Sequence, residues 1–515
     1  MNGARHAHHG MVLILVLIVI AALSLAALTY AEWMLTEREA AFLSERQAQA
    51  RSLAASGVAA AQLFLSNDAQ TRSDSGGSYD NPGLFCGVVV LDADAARDRG
   101  RFTVVAPIVD NAGSGGVRYG LEDESAKINL NAILSLVKEE DAAREVLMSL
   151  PGMTEDVADA ILDWIDSDDE TRTFGAEVDY YSTLDPPYAP KNGPLGTIEE
   201  LLMVRGVTPA LLLGVDANRN GYADDTEADP SLVAAGDALL GSMDRGWAGY
   251  LTLHSAGAES NLTAAGEAKI NVNQDSLETL HEELAAVFGE EWATFIVAYR
   301  QQQKAYEQGS QEPEKLETKP SGELDLSKEG KLKLKSVLDL IGQRVQVQYK
   351  GAEEPVVLES LFPNDPAAMA EYLPELVDGL TTGDDINTTG RINVNQAPAA
   401  VLAAIPGLPD EAVDRILSAR QGQATSDTPP DPTWLLIDGI LTLDEMKAIM
   451  PYVTGGGSIF RAQVVGFYDA EGPAARVEVV IDAGQQPPAI VSWRDLSNLG
   501  RGYPLDVLGA ETFVD

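Results

Sequence analysis

Residues 216–227 read DANRNGYADDTE, and the oxygens they carry are typed and spaced as in a loop that wraps a hard cation. Asp216, Asn218 and Asn220 stand at the first, third and fifth loop positions, and Gly221 follows where the chain must turn sharply. Tyr222 offers its carbonyl, Asp224 falls at the ninth position, and Glu227 falls at the last, where a bidentate carboxylate completes an oxygen cage for calcium. Neutral Asn ligands beside three carboxylates predict modest affinity, suited to a calcium-rich extracytoplasmic space. The same letters also describe a polar turn without metal. Pro230 argues against a long exiting helix, so the expectation is a lone structural Ca2+ loop rather than a sensor.

A second acidic constellation, DWIDSDDETRTFGAEVDYY, holds Asp163, Asp166, Asp168, Asp169, Glu170, Glu177 and Asp179. Carboxylates crowded in this way repel one another unless a cation or basic residues neutralise them. A second calcium site and a solvated helix end both fit, and the individual ligands are not assigned. Catalysis finds no such footing. His6, His8 and His9 sit together near the N-terminus, His254 and His281 lack metal-ligand spacing, and no G-x-S-x-G, Walker or H-E-x-x-H pattern occurs. The expectation is that the chain is not an enzyme.

The elements that must position these loops begin with MVLILVLIVIAALSLAALTYA, residues 11–31, an uncharged run long enough for the roughly 30 Å core of a bilayer. Its apolar pattern continues without Pro to about residue 65, with only Gly57 as a weak breaker, so one helix spans lipid and then packs on protein. A short polar leader precedes the run, with Gly10 and Met11 at the junction. That order resembles a class III leader, which a prepilin peptidase cuts after the glycine while the apolar run stays on the mature chain. An uncut single-pass anchor is the plainer alternative.

Strand-like, Val-rich stretches lie in residues 84–124 and return in 456–515, so the β content is split between the two ends. Between them the chain reads as helical. AKINLNAIL, AKINVNQDSLETL and GRINVNQAPAAVLAAI resemble one another, and each predicts an Asn N-cap entering a helix. LPGMTEDVADAILDWI and IPGLPDEAVDRILSAR share a helix, tight-turn, helix layout, with MVRGVTPALLLG a looser version. Such SAM-like or helix-hairpin-helix modules raise the possibility of DNA binding. Against it stand the missing second hairpin glycine and 36 basic against 79 acidic residues, a net charge of -43 that repels phosphate. The Lys/Glu-rich residues 301–335 read as a flexible, solvated insertion. The domains expected are the leader at 1–10, the membrane part of the helix at 11–31, an αβ unit from 84–124 plus 456–515, and helical domains at 125–230 and 231–455.

Together these features resemble the type II secretion protein K family of minor pseudopilins. The resemblance rests on the Gly10-Met11 leader, Leu15 where most pilin-like proteins carry glutamate, and SAKINLNAIL. It rests also on LPGMTEDVADAILDWIDSDD running on to GAEVDYYSTLDPPYAPKNGPLGTIEELLMVRGV, and on the return to strands after Gly455. It implies an α+β pseudopilin fold, in which a long N-terminal helix packs on a small antiparallel sheet and a large helical domain is inserted between strands. It further implies bound calcium, an inner-membrane anchor with a periplasmic bulk, and a place at the pseudopilus tip with the minor pseudopilins I and J. Nucleic acid is not an expected partner. A DNA-uptake protein and a minor pilin of a type IV pilus are the alternatives.

Overall fold

The computed structural model describes residues 7–108, 116–137, 140–222, 245–258, 261–263, 265, 267–302, 316–352, 354–383, 388–420 and 431–510. Helix α1, Ala7–Leu65, is about 90 Å long at 1.5 Å per residue. Residues 12–45 are exposed along it. From Arg46 onward a face made of Ala50, Leu53, Ala54, Val58, Ala61, Phe64 and Leu65 is buried at helical spacing. Gly57 lies on that face because a Cβ there would come within 2.5 Å of Val464. It is therefore a contact residue, not a breaker. α1 is the one helix among the described residues long and apolar enough to cross a membrane, consistent with a single-pass anchor.

Strands β1, Val88–Leu91, and β2, Gly100–Pro107, pair antiparallel and start the sheet. A short strand at Glu122–Asp123 then joins the sheet, and there the chain leaves it.

Three copies of one device organise the insert that follows. Strand β3, Ile128–Asn129, pairs in parallel with β4, Leu251–Thr252. β5, Ile270–Asn271, pairs with β6, Leu380–Thr381, and β7, Ile392–Asn393, with β8, Val453–Thr454. In each copy the first Asn (Asn129, Asn271, Asn393) accepts the backbone N–H two residues on, at 2.9 to 3.0 Å. The second Asn spans a gap: the amide of Asn131 reaches Leu195 and Leu253, that of Asn273 reaches Leu334 and Thr382, and that of Asn395 reaches Trp434 and Gly455. The Asn residues are therefore not N-caps. A two-residue strand leaves amides unpaired at once, and a short amide side chain satisfies them locally. The caps fall to other residues, Ser276 in the second copy among them.

Each copy carries a helical hairpin closed by a glycine at positive φ. These are α2, Glu140–Met148, and α3, Glu155–Ile165, around Gly152; α4, Leu277–Phe288, and α5, Glu290–Gln301, around Gly289; α6, Ala399–Ala403, and α7, Asp410–Ala419, around Gly407. The looser phrase near Gly206 forms a shorter version of the same layout, a 3-10 helix at Ile198–Met203 and an α-helix at Pro209–Leu213 on either side of Gly206, which is also at positive φ. The β3–β4 pairing carries the first copy to Thr252, past the boundary at 230 drawn from the sequence. A single hydrophobic core runs from Ile128 to Val453 beneath all three.

Part of the supposed flexible insertion is packed. Leu316–Glu317 forms a strand beside Val356–Leu358, Leu324 and Leu334 are buried, and the Arg300 carbonyl accepts the Lys331 N–H at 2.7 Å. Its apolar residues are spaced widely enough for the Lys and Glu between them to stay in water. Residues 303–315 lie outside the described part.

The chain rejoins the sheet as β9, Ile459–Tyr468, β10, Ala475–Asp482, and β11, Ala489–Asp495, giving the antiparallel order β1-β2-β9-β10-β11. α1 packs over its centre, and Gly466 of β9 sits under it with a virtual Cβ 2.3 Å from the Ala50 carbonyl. The expected α+β architecture is borne out: a long N-terminal helix on an antiparallel sheet, with a helical insertion between strands.

Candidate metal centre

The two ends of the insert meet at the buried carboxylate of Asp123. It accepts N–H groups from Ser125 at 2.8 Å and from Gly457 and the Asn393 amide at 2.7 Å each. Beside it Lys127 bridges Glu122 and Glu124, both at 2.8 Å, while Arg461 of β9 holds Glu124 at 2.7 Å and Glu478 of β10 at 2.8 Å. Burial opposes ionisation at Glu122, but Lys127, Arg245 and Arg461 outweigh it and hold its carboxyl down at about 2. Further along the same junction Arg494 of β11 grips Glu199 of the first copy through two bonds of 2.8 and 2.7 Å.

The loop of residues 216–222 is built onto this junction. Asp216 accepts the N–H groups of Asn220 at 2.9 Å and Gly221 at 3.0 Å, Asn218 also accepts from Asn220, and Asn220 accepts from Tyr222 at 2.8 Å. Arg219 and Gly221 both take positive φ, which coils the chain tightly enough for these contacts. Outward-facing groups of the loop are tied to the sheet and to the segment that follows its last strand. Tyr503 donates to the Asn220 carbonyl at 2.7 Å, Gln463 donates to the Arg219 carbonyl at 2.7 Å, Arg476 donates to the Asn218 carbonyl, and the Asn220 amide donates to Gly502. Burial pushes the Asp216 carboxyl above its ordinary value. Asp216, Asn218, Asn220 and Tyr222 are thus brought together, whereas Asp224 and Glu227 lie outside the described residues.

In the second constellation a basic residue does part of the neutralising. Arg172 donates to Asp163 at 2.8 Å and also to Asp166. Asp168 accepts the Glu170 N–H at 2.9 Å, Asp169 accepts from the Asn192 amide at 2.9 Å, and Asp179 stands in solvent. Glu177 is buried, and neither of its carboxylate oxygens has a hydrogen-bond donor; Asp166 Oδ1 and Asn192 Oδ1 are likewise buried without a partner. Desolvation, then the charges of Asp163, Asp166 and Asp169, push the Glu177 carboxyl up to about 7. Both Glu177 carboxylate oxygens, Asp166 Oδ1 and Asn192 Oδ1 are oxygens, the donor type calcium takes, so the chemistry of these atoms fits that ion. The carboxylates are not gathered round one point, and among the described residues no three His, Cys, Asp or Glu side chains form a metal-sized group.

Sequence reasoning missed Arg172 and Asn192, although a lone Arg inside an acidic run was a visible signal. It also missed Gln463, Arg476 and Tyr503, which lie far along the chain and carry no local mark. His254 is half-buried with its pKa lowered by burial, and His281 lies 3.4 Å from the Thr294 hydroxyl.

Residues 126–215 match the family described as type II secretion system (T2SS), protein K. A curated relative, the type II secretion system protein K of Klebsiella pneumoniae, is 28% identical over 220 residues, which cover 40% of this chain and 60% of the relative. The chain thus spans about 60% of that relative's length. Among solved structures, the GspK-GspI-GspJ complex from the enterotoxigenic Escherichia coli type 2 secretion system aligns over 89% of this chain and 98% of that one, at 11% identity and a TM-score of 0.35. A score that low adds nothing to the strand order already described. The resemblance to protein K drawn from the sequence is borne out by the matched segment, which contains the first hairpin and the acidic loop after it.

Proposed function

We propose that this chain is a minor pseudopilin of the type II secretion protein K kind, standing at the tip of a pseudopilus and starting or capping its assembly with the minor pseudopilins I and J. The observation that carries the reading is the insert that leaves and rejoins one antiparallel sheet at Asp123, under a helix whose outer 34 residues, 12–45, are exposed. A helix so apolar and so uncovered needs lipid or other helices around it. In this reading α1 anchors the subunit in the inner membrane with its bulk in the periplasm, and later packs among helices in the filament. Leu15 has no charge to pair with the terminal amine of a subunit above, which suits a tip. The role is structural, with no reaction assigned to any residue. A prepilin peptidase would cut between Gly10 and Met11. Mass spectrometry after co-expression with that peptidase tests the step: a chain starting at Met11 supports the reading, and one starting at Met1 counts against it.

Calcium belongs to the proposal as a structural ion. Glu177, Asp166 and Asn192 are the residues that would hold it in the acidic loop, where Arg172 bonds both Asp163 and Asp166. In the other loop Asp216, Asn218, Asn220 and the Tyr222 carbonyl would share the ion with Asp224 and Glu227. When bound, the ion would supply positive charge to oxygens that otherwise repel one another.

A further inference from the structure

The first copy of the insert carries an exposed apolar patch that neither the sheet nor the other two copies cover. Phe174, Val178, Tyr180, Leu202 and Met203 are each between 37% and 45% exposed. Arg205 fastens the patch together: its guanidinium lies 5.4 Å from the centre of the Tyr180 ring and donates to the carbonyls of Phe174 and Asp156. The Arg205 N–H reaches the Tyr181 hydroxyl at 3.2 Å, and the Tyr188 hydroxyl reaches the Met203 carbonyl at 2.8 Å. Tyr180 packs edge-on against buried Tyr181, which packs in turn against buried Trp164. The Tyr180 ring is thus held in place before anything binds, which is the state from which an interface anchor loses least entropy.

The rim of the patch is acidic. Asp156, whose carbonyl Arg205 holds, and Asp179, between Val178 and Tyr180 in the chain, are exposed beside it, and Arg205 is already committed to two carbonyls and a ring. Such a rim repels phosphate and anionic lipid and attracts ammonium and guanidinium groups. We infer that this patch is a docking surface for a segment of another protein that presents an apolar anchor flanked by Lys or Arg. The inference stands apart from the filament reading, because it uses nothing from α1 or the sheet.

The test uses the full chain held in nanodiscs of neutral lipid and two fluorescent 12-residue peptides, one alternating Lys with Leu and Trp, the other carrying Glu in place of Lys. The Lys peptide is expected to bind with an affinity that falls as salt rises, and the Glu peptide not to bind. Met203→Asp and Phe174→Ser should each weaken binding about tenfold or more, without changing the melting curve. Glu282→Gln with Glu283→Gln, two acidic residues of α4 outside the patch, should leave it unchanged. Equal binding of both peptides, or equal loss in the α4 variant, would overturn the proposal by showing general attraction to an acidic chain. Failure of the Lys peptide to bind would overturn it too. So would capture of phosphatidylserine vesicles through Met203 and Phe174, because lipid would then be the ligand.

Discussion

At the scale of residues, the junction between sheet and insert is ionic and buried, so its removal should be costly. Lys127 neutralises two buried carboxylates, and Lys127→Met is expected to destabilise the fold by about 3 kcal/mol or more, read from urea unfolding. Because the folded-state pKa of Glu122 is depressed, its contribution is complete above the ordinary glutamate range and is lost as pH falls from there toward about 2. Melting temperature should therefore drop across that window, and drop less in Glu122→Gln. Equal slopes for the two proteins would show that Glu122 is not the titrating group. Of these residues the sequence revealed the loop of Asp216, Asn218 and Asn220, since its pattern is local. It concealed Arg461 and Arg494, whose partners Glu124 and Glu199 lie 337 and 295 positions away.

The insert's elements show where pattern reading succeeds and where it misassigns cause. The three I-N-x-N phrases were visible as relatives, and the structure makes them equivalent strands closed by Leu-Thr or Val-Thr partners. Reading their Asn residues as caps failed because a two-residue strand is too short to announce itself by alternation. The hairpin of α4 and α5 also escaped notice: its turn is Phe288-Gly289-Glu290 rather than Pro-Gly, though Arg300 at its end donates to the Val272 carbonyl much as Arg420 donates to that of Val394. Asn273→Ala leaves the Leu334 N–H and two carbonyls without their side-chain partner. It should cost about 1–3 kcal/mol, and Asn273→Asp should not restore it, because a carboxylate donates nothing to those carbonyls. At the helix–sheet contact, Gly466→Ala would drive a methyl into the backbone of α1 and should destabilise by about 1–3 kcal/mol or more in the same urea assay.

For the whole molecule, the split of β-rich segments between the two ends was enough to place the insertion, because only an antiparallel sheet completed from both ends explains Val-rich strands so far apart. The proposed ion binding would act at this scale as well, since both candidate loops lie in the first copy of the insert and one is bonded to the sheet. Calcium at a hundredfold excess over its Kd would add about 2.7 kcal/mol to stability. Chelation should therefore lower the melting temperature by several degrees, calcium should restore it, and Glu177→Gln should reduce the response. An unchanged melting curve on chelation would count against a structural ion. The central claim, that the chain is a tip pseudopilin, is tested most directly by native mass spectrometry of the chain co-expressed with minor pseudopilins I and J. The account predicts one complex containing a single copy of each. A chain that stays alone, or that assembles only with copies of itself, would contradict it.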